Sequence, residues 1–324
     1  MRECLLWRLI PNTPFHLGSS EGAGSGVIAH SDTLFSAIMN SYRLIYGYEE
    51  LEAFLEKYLE TPLFTITSAF PYIRDTNLFP IPKGLTVSAL TQVLHDFKKT
   101  RFVSESIFRK IIEGSVSKED FNRDNLVKDK QVLLGSDEAE KYKDLKLLWV
   151  ERERPRVTID REHNSSQIYH VSETIFENGC GLFFLMDLKD DSISRRIEAS
   201  IRLLGDEGLG GERTYGYGLF EVNKKDYSIP DGGGNLYSTL SLVYPSKDQL
   251  YGLIGKYSLL KRGGWIFSQD GRNFRRRTVR MFEEGSTFNK PIPGILQDVK
   301  PEGFTFHHVF CYGLGFYVNI EGSL

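Results

Sequence analysis

Cysteine is scarce in this chain: Cys4, Cys180 and Cys311 are the only three among 324 residues, odd in number and far apart. No C-x-x-C pair occurs, so neither a disulfide framework nor a zinc site is indicated, and the three are expected to be small buried hydrophobes. Long apolar runs are lacking too. Cys4 to Ile10 is apolar, but Arg8 and Pro11 break it well short of a membrane span, and no small-residue cleavage site follows. A cytoplasmic protein with no membrane contact is expected. Nor does one sign of charge dominate: 40 Lys and Arg against 43 Asp and Glu leave a net charge of −3. That excludes a protein basic throughout and leaves room for a local basic strip.

Several nucleotide motifs are absent. No G-x-x-x-x-G-K-[ST] occurs and no G-x-G-x-x-G follows a strand, so P-loop and dinucleotide chemistry lack their phosphate cradle. Cyclase and polymerase palms need adjacent acids to hold divalent metals. Here Gly210-Gly211 leads into Glu212-Arg213, and an arginine at the second acid position repels the metal. No cofactor and no metal are expected.

What is present fits two domains, since 40% apolar and 26% charged composition over this length supports more than one core. Cys4 to Phe15 reads as a strand, followed by the small-residue loop Ser19 to Gly26. A helix capped by Ser31 or Asp32 carries Leu34, Phe35, Ile38, Met39, Tyr42, Ile45 and Tyr46 on one face until Gly47 ends it. Strands are expected at Phe64 to Tyr72 and Leu78 to Ile81, then a charged helical insertion over about 85–150. Extended runs at Val157 to Asp160 and Gln167 to Val171 flank His163-Asn-Ser-Ser166, predicting a hairpin over about 152–173 with a polar tip. Cys180 to Leu188 is a buried strand. Ser192 caps a second helix with Ile193, Ile197, Ile201 and Leu204 aligned, and the strand Leu219 to Val222 follows.

That order is the order of a ferredoxin-like or RRM-like unit, with two helices on one sheet face and the other face free to bind. Asp226 to Asn235, with Pro230 and three glycines, reads as a linker. Beyond it a strand, Leu240 to Tyr244, and a helix from Ser246 with Leu250, Leu253, Ile254 and Tyr257 aligned predict a degenerate second copy. The expected fold class is therefore α+β: two ferredoxin-like (RRM-like) domains, 1–225 and 236–324, with a helical insertion and a protruding β-hairpin thumb.

The loop Gly208-Leu-Gly-Gly-Glu-Arg-Thr-Tyr-Gly-Tyr-Gly218 puts five glycines, an arginine and two tyrosines directly after a helix. Glycines let backbone N–H groups approach phosphates, Arg213 supplies a planar cation, and Tyr215 and Tyr217 offer faces for unpaired bases. A tight helix-to-strand connection with inward tyrosines has the same composition. Lys256, Lys261, Arg262, Arg272, Arg275, Arg276, Arg277 and Arg280, opposed by Asp270, form a basic strip; in an extended segment Arg275 and Arg277 project to one side and Arg276 to the other. A solvated edge strand guarded by charge is the competing account. Arg152, Arg154, Arg156 and Arg161 lead into the hairpin but are diluted by acids.

His30, before the first helix, is the best general-base candidate for metal-independent RNA cleavage, though a satisfied structural histidine fits that position as well. His307-His308 point to opposite faces of an expected strand and cannot share a metal. His95-Asp96 lacks further histidines at helical spacing.

Taken together, His30-Ser-Asp-Thr-Leu-Phe-Ser36, Lys98-Lys-Thr-Arg-Phe-Val-Ser104, Gly208 to Gly218, Arg262-Gly-Gly-Trp-Ile266 and Phe282-Glu-Glu-Gly-Ser286 span nearly the whole chain in order. On these stretches the sequence resembles the RAMP-superfamily subunits that hold the 5′ handle of crRNA in type III-A (Csm) CRISPR effector complexes. A related Cmr-type subunit shares the Gly-Trp and Glu-Gly-Ser features, while the His30-Ser-Asp-Thr-Leu run favours the Csm side. The resemblance implies a non-catalytic, crRNA-binding role in antiviral defence, within a heteromeric ribonucleoprotein, docked on a polymerase-like large subunit and a backbone RAMP subunit. It implies RNA contacts at Gly208, Gly210, Gly211, Arg213, Thr214, Tyr215, Gly216, Tyr217 and Gly218, and also at Ser31, Arg154 and Arg156. The basic strip adds Arg262, Arg275 and Arg277. The alternative is a metal-independent endoribonuclease that processes repeat RNA.

Overall fold

The computed structural model describes residues 1–18, 26–84, 97–145, 147–160, 165–230, 232–267 and 274–322. Most of the Ser19 to Gly26 loop, the start of the insertion with His95-Asp96, and Arg161, His163, Asn164, Asp270 and Arg272 lie outside the described residues.

Strand β1 (Arg2–Pro11) leads to α1 (Ser31–Tyr46) and α2 (Tyr48–Glu60), which meet at Gly47, whose φ of 90° breaks the helical run. The N-cap of α1 is His30, with no side-chain cap bond of its own; Ser31 Oγ is taken by Leu242 N–H, and Asp32, already inside the helix, accepts from the adjacent Thr33 N–H. Then come β2 (Phe64–Ile66), β3 (Phe70–Ile73) and β4 (Thr76–Pro80). The insertion holds β5 (Phe102–Ser104), α3 (Glu105–Ile112), β6 (Leu126–Val127), β7 (Val132–Leu133) and α4 (Ser136–Lys141). A long hairpin, β8 (Trp149–Asp160) and β9 (Ser165–Phe176), pairs in register from Trp149↔Phe176 to Asp160↔Ser165. It is followed by β10 (Cys180–Leu188), α5 (Ser194–Glu207) and β11 (Phe220–Ile229).

The main sheet has nine strands in the order β11-β1-β10-β3-β4-β5-β7-β6, with β2 also on β10. Its first four strands are antiparallel throughout, the arrangement expected of a β-α-β-β-α-β unit. Two expectations change here. The insertion is not helical throughout: its three short strands extend this sheet beyond β4, and α3 lies over the added part. The second sheet face is not free. Side chains on β1 and β10 alternate: Trp7, Leu9, Phe184 and Met186 pack under α1 and α5, while Leu6, Phe183 and Leu185 pack under α3, Phe79, Phe102 and the C-terminal Phe316 and Val318. The physical reason is legible in β10, whose continuous apolar run leaves no polar face for water.

Strand β11 runs past the expected boundary at 225 because its pairing with β1 continues to Arg2↔Ile229. The C-terminal part contains β12 (Leu236–Thr239), β13 (Gly255–Lys256), β14 (Leu259–Arg262), β15 (Val279–Phe282), β16 (Thr287–Phe288), β17 (Gly294–Asp298), β18 (Phe310–Leu314) and β19 (Tyr317–Ile320). Among its described residues there is no α-helix; the helix predicted from Ser246 is a single 3₁₀ turn, Asp248–Leu250. His307 and His308 lie outside any strand, and His308 Nδ1 pairs with Asp298 at 2.7 Å.

Candidate nucleic-acid interface

Helix α5 ends where Gly208 donates its N–H to Leu204 O, and the chain folds back on itself. Leu209 N–H bonds Gly218 O, Gly211 N–H bonds His16 O and Gly218 N–H bonds Pro14 O, all at 2.8–2.9 Å. These amides are therefore spent inside the fold, which corrects the expectation that Gly208, Gly211 and Gly218 present theirs to phosphates. Gly210 serves close approach: a Cβ there would lie 2.5 Å from His16 O. Tyr217 also points inward. It is buried, and its hydroxyl donates to Glu173 Oε2 at 2.5 Å. Glu173 is itself fully buried and takes a second bond from Arg152 Nε at 2.5 Å. Burial alone would raise that carboxyl, but the Tyr217 and Arg152 bonds outweigh it and hold it below the usual range.

What remains outside is the tip, Arg213 to Gly216. Arg213–Tyr215 is one 3₁₀ turn between Glu212 and Gly216, both left-handed. Thr214, Tyr215 and Gly216 are exposed, Tyr215 at 64%. Arg156 of the hairpin lays its guanidinium 4.3 Å from the Tyr215 ring centre and 5.2 Å from that of Tyr217, and reaches Glu212 at 3.3 Å. Arg213 sits 4.5 Å over Phe267, and Arg275 sits 4.6 Å over Trp265, its cross-strand neighbour. The glycine tip, the hairpin and residues 265, 267 and 275 thus meet in one surface of planar cations on aromatic rings. Arg154 and Arg277 are exposed nearby in sequence, and Arg277 donates to Asp298 O. Phe267 and Trp265 were missed; their signal was an aromatic pair at i, i+2 facing an arginine-rich return strand. Such a surface suits a single-stranded nucleic acid, because stacking and cation contacts tolerate any base.

Ser31 and Arg262 do not join it. Ser31 is fully buried, its N–H bonded to Ser68 Oγ and its Oγ accepting from Leu242 N–H. Arg262 forms a bidentate pair with Asp32 (Nη2–Oδ1 2.8 Å, Nε–Oδ2 3.0 Å), and Arg276 Nη2 adds a third contact at 2.9 Å. The alternation expected for the basic strip holds, with Arg276 turned inward and Arg275 and Arg277 outward, but its inward members serve a buried acid. Beside them His30 Nδ1 meets Glu284 Oε1 at 2.8 Å, and Ser68 Oγ donates to the same oxygen. Burial would raise Asp32; Arg262 and then Arg276 hold it well below the carboxylate range. His30, buried in this network, is placed as a structural residue. The three cysteines are buried, and burial pushes the thiols of Cys4 and Cys311 up to about 12 and that of Cys180 to about 11. No cluster of metal-ligating side chains occurs among the described residues, and no helix is long and apolar enough to cross a membrane.

Comparison with known proteins bears directly on this arrangement. The RAMP superfamily profile matches residues 9–221, from β1 through the glycine loop. The chain belongs to the RAMP superfamily. A second match, to the CRISPR Csm4 C-terminal domain, covers residues 233–320. Relatives described as CRISPR system Cms protein Csm4 are 29% identical in Thermococcus onnurineus, over 99% of this chain and 98% of that one, and 27% identical in Methanocaldococcus jannaschii, over 90% and 87%. Solved structures share the fold. A chain of the Csm3-Csm4 subcomplex in the type III-A CRISPR-Cas interference complex gives a TM-score of 0.73 at 22% identity, covering 99% of this chain and 100% of that one. A chain of a Csm1-Csm4 cassette in complex with cA4 gives 0.61 at 22% identity, covering 98% of each.

Proposed function

We propose that this RAMP protein is a non-catalytic subunit of a type III-A CRISPR interference complex that holds the 5′ handle of crRNA on the Arg156–Tyr215–Arg213–Phe267 surface. The observation that carries the reading is the stacking of hairpin and loop arginines on exposed aromatic rings, with Tyr215 left open to a base. The division into an RNA-holding N-terminal domain and a C-terminal domain, linked at residues 230–235, belongs to the same proposal. So does docking on a polymerase-like large subunit and a backbone RAMP subunit, the two kinds of partner that accompany the similar solved chains. Burial of His30 against Glu284 supports a role without chemistry, since a general base for RNA cleavage must reach the 2′-hydroxyl.

The test is binding of handle RNA to the purified chain and to the assembled complex. Arg213→Ala with Tyr215→Ala should weaken affinity by about 1–3 kcal/mol per lost stacked base. Wild-type affinity should fall with salt at a log-log slope of about −0.7 per phosphate contact. Unchanged affinity and assembly in the double variant would refute the site. Cleavage of repeat RNA in EDTA, abolished by His30→Ala, would refute the non-catalytic role.

A further inference from the structure

The helical spacing of Leu250, Leu253, Ile254 and Tyr257 predicts an amphipathic helix, and the fold makes none there. Only Leu253 turns inward, against the small core of Val243, Phe282, Phe288 and Ile292. Leu250, Tyr251, Ile254, Tyr257 and Leu259 stay exposed, Tyr251 at 88% and Ile254 at 63%. The segment is tied down beside residues 282–290: Ile254 O accepts from Asn289 N–H, Lys290 Nζ reaches Tyr251 O, and Tyr257 leans on Phe282 and Phe288. Five large apolar side chains exposed within ten residues, of which Tyr257 alone also rests on the core, mark an interaction surface.

Two further features say what covers it. Among the described residues strand β13 is the end strand of its sheet, in the order β13-β16-β12-β19, with Gly84 beside the Lys256 side chain, and an edge of this kind can accept another strand. The rim is also positive, with Asp248 the one exposed acid among described residues 247–262. Lys261 and Arg280 lie directly opposite each other on β14 and β15, both exposed and neither in an ion pair among the described residues, a destabilising arrangement that an incoming anion relieves. Lys256 and Lys247 are likewise exposed, while the nearby acid Glu283 is already held by Lys83.

We infer that residues 250–262 dock an extended segment of a protein partner, which adds to the edge of β13, lays apolar side chains on Ile254, Tyr257 and Leu259, and sets carboxylates on Lys261 and Arg280. Aliphatic side chains favour a protein over RNA, since Leu250, Ile254 and Leu259 offer bases nothing to stack on. The surface lies in the part matched by the Csm4 C-terminal domain, outside the RAMP match at 9–221. It therefore fits a partner specific to this subunit, and resting on the proposed role we assign it to the polymerase-like large subunit.

The experiment measures affinity of the full chain for purified large subunit, purified backbone subunit and handle RNA. It compares wild type with Ile254→Asp/Leu259→Asp and, separately, Lys261→Glu/Arg280→Glu. All four positions are exposed or at the rim, and melting curves check folding. Both variants should bind the large subunit at least about tenfold more weakly, the scale of a lost hot spot, and keep wild-type affinity for backbone subunit and RNA. Amides over 250–262 should gain hydrogen-exchange protection only with the large subunit. Unchanged large-subunit affinity overturns the inference. So does a loss confined to the backbone subunit, or a loss of RNA affinity, which would make this a nucleic-acid surface. A wild-type chain with no affinity for the large subunit would instead bring down the proposed assembly role, and this surface with it.

Discussion

Tyr215 and Tyr217 stand two residues apart in one loop and do opposite work. Tyr217 donates its hydroxyl to buried Glu173, so Tyr217→Phe strips a bond from a carboxylate that water cannot reach. It should cost about 1–3 kcal/mol of stability in denaturant titration while sparing RNA affinity in the folded protein. Tyr215→Ala removes an exposed ring and should leave stability within about 0.5 kcal/mol, with the loss appearing in RNA binding instead. If both variants lost RNA affinity with melting unchanged, Tyr217 would have to face the strand, against its burial. Arg262 and Arg276 carry the same lesson. As residue types they are indistinguishable from Arg275 and Arg277, and only the position of Asp32, some 230 residues away in sequence, turns them inward.

At the scale of elements the glycine loop is a folded unit, stitched by its own amides. A Cβ on Gly218, at φ 76°, would stand 2.2 Å from Leu209 O, whereas at Gly216, φ 79°, it would meet open space. Gly216→Ala should therefore cost only the left-handed backbone, about 1–2 kcal/mol. Gly218→Ala adds a backbone clash and should lower the melting temperature clearly further; equal shifts would mean that the loop is not packed as described. Sequence pattern made α1, α5, β10 and the hairpin legible: the helices by their period of 3.6, β10 by a continuous apolar run, and the hairpin by extended runs on either side of a polar tip. It misled at Ser246 to Tyr257, where helical spacing serves an outer surface, and over the insertion, where strands of two or three residues are too short to show a period. Within the site, Arg213 and Tyr215 were legible from composition. Trp265 and Phe267 became site residues only through contacts far from them in sequence or across a bridge, Arg275 on Trp265 and Arg213 on Phe267.

For the molecule as a whole, the buried network of His30, Asp32, Ser68, Arg262, Arg276 and Glu284 joins the first helix to the C-terminal strands. Both carboxyls are held below their ordinary values, so their contribution is complete above the unfolded pKa, near 4, and is lost as pH falls through the lower folded values. Asp32→Asn, leaving two arginines without their anion, should cost about 3–5 kcal/mol at neutral pH. The gap to wild type should narrow in strong acid; a gap independent of pH would place the loss elsewhere. The sheet order has a consequence in time. β1, the first strand to leave the ribosome, pairs with nothing nearby: its partners are β10, from residue 180, and β11, from residue 220. At about 5–20 residues per second of synthesis it waits about 10–40 s with both edges open. Until β10 emerges, the ten residues of β1 therefore depend on whatever shields them in the nascent chain.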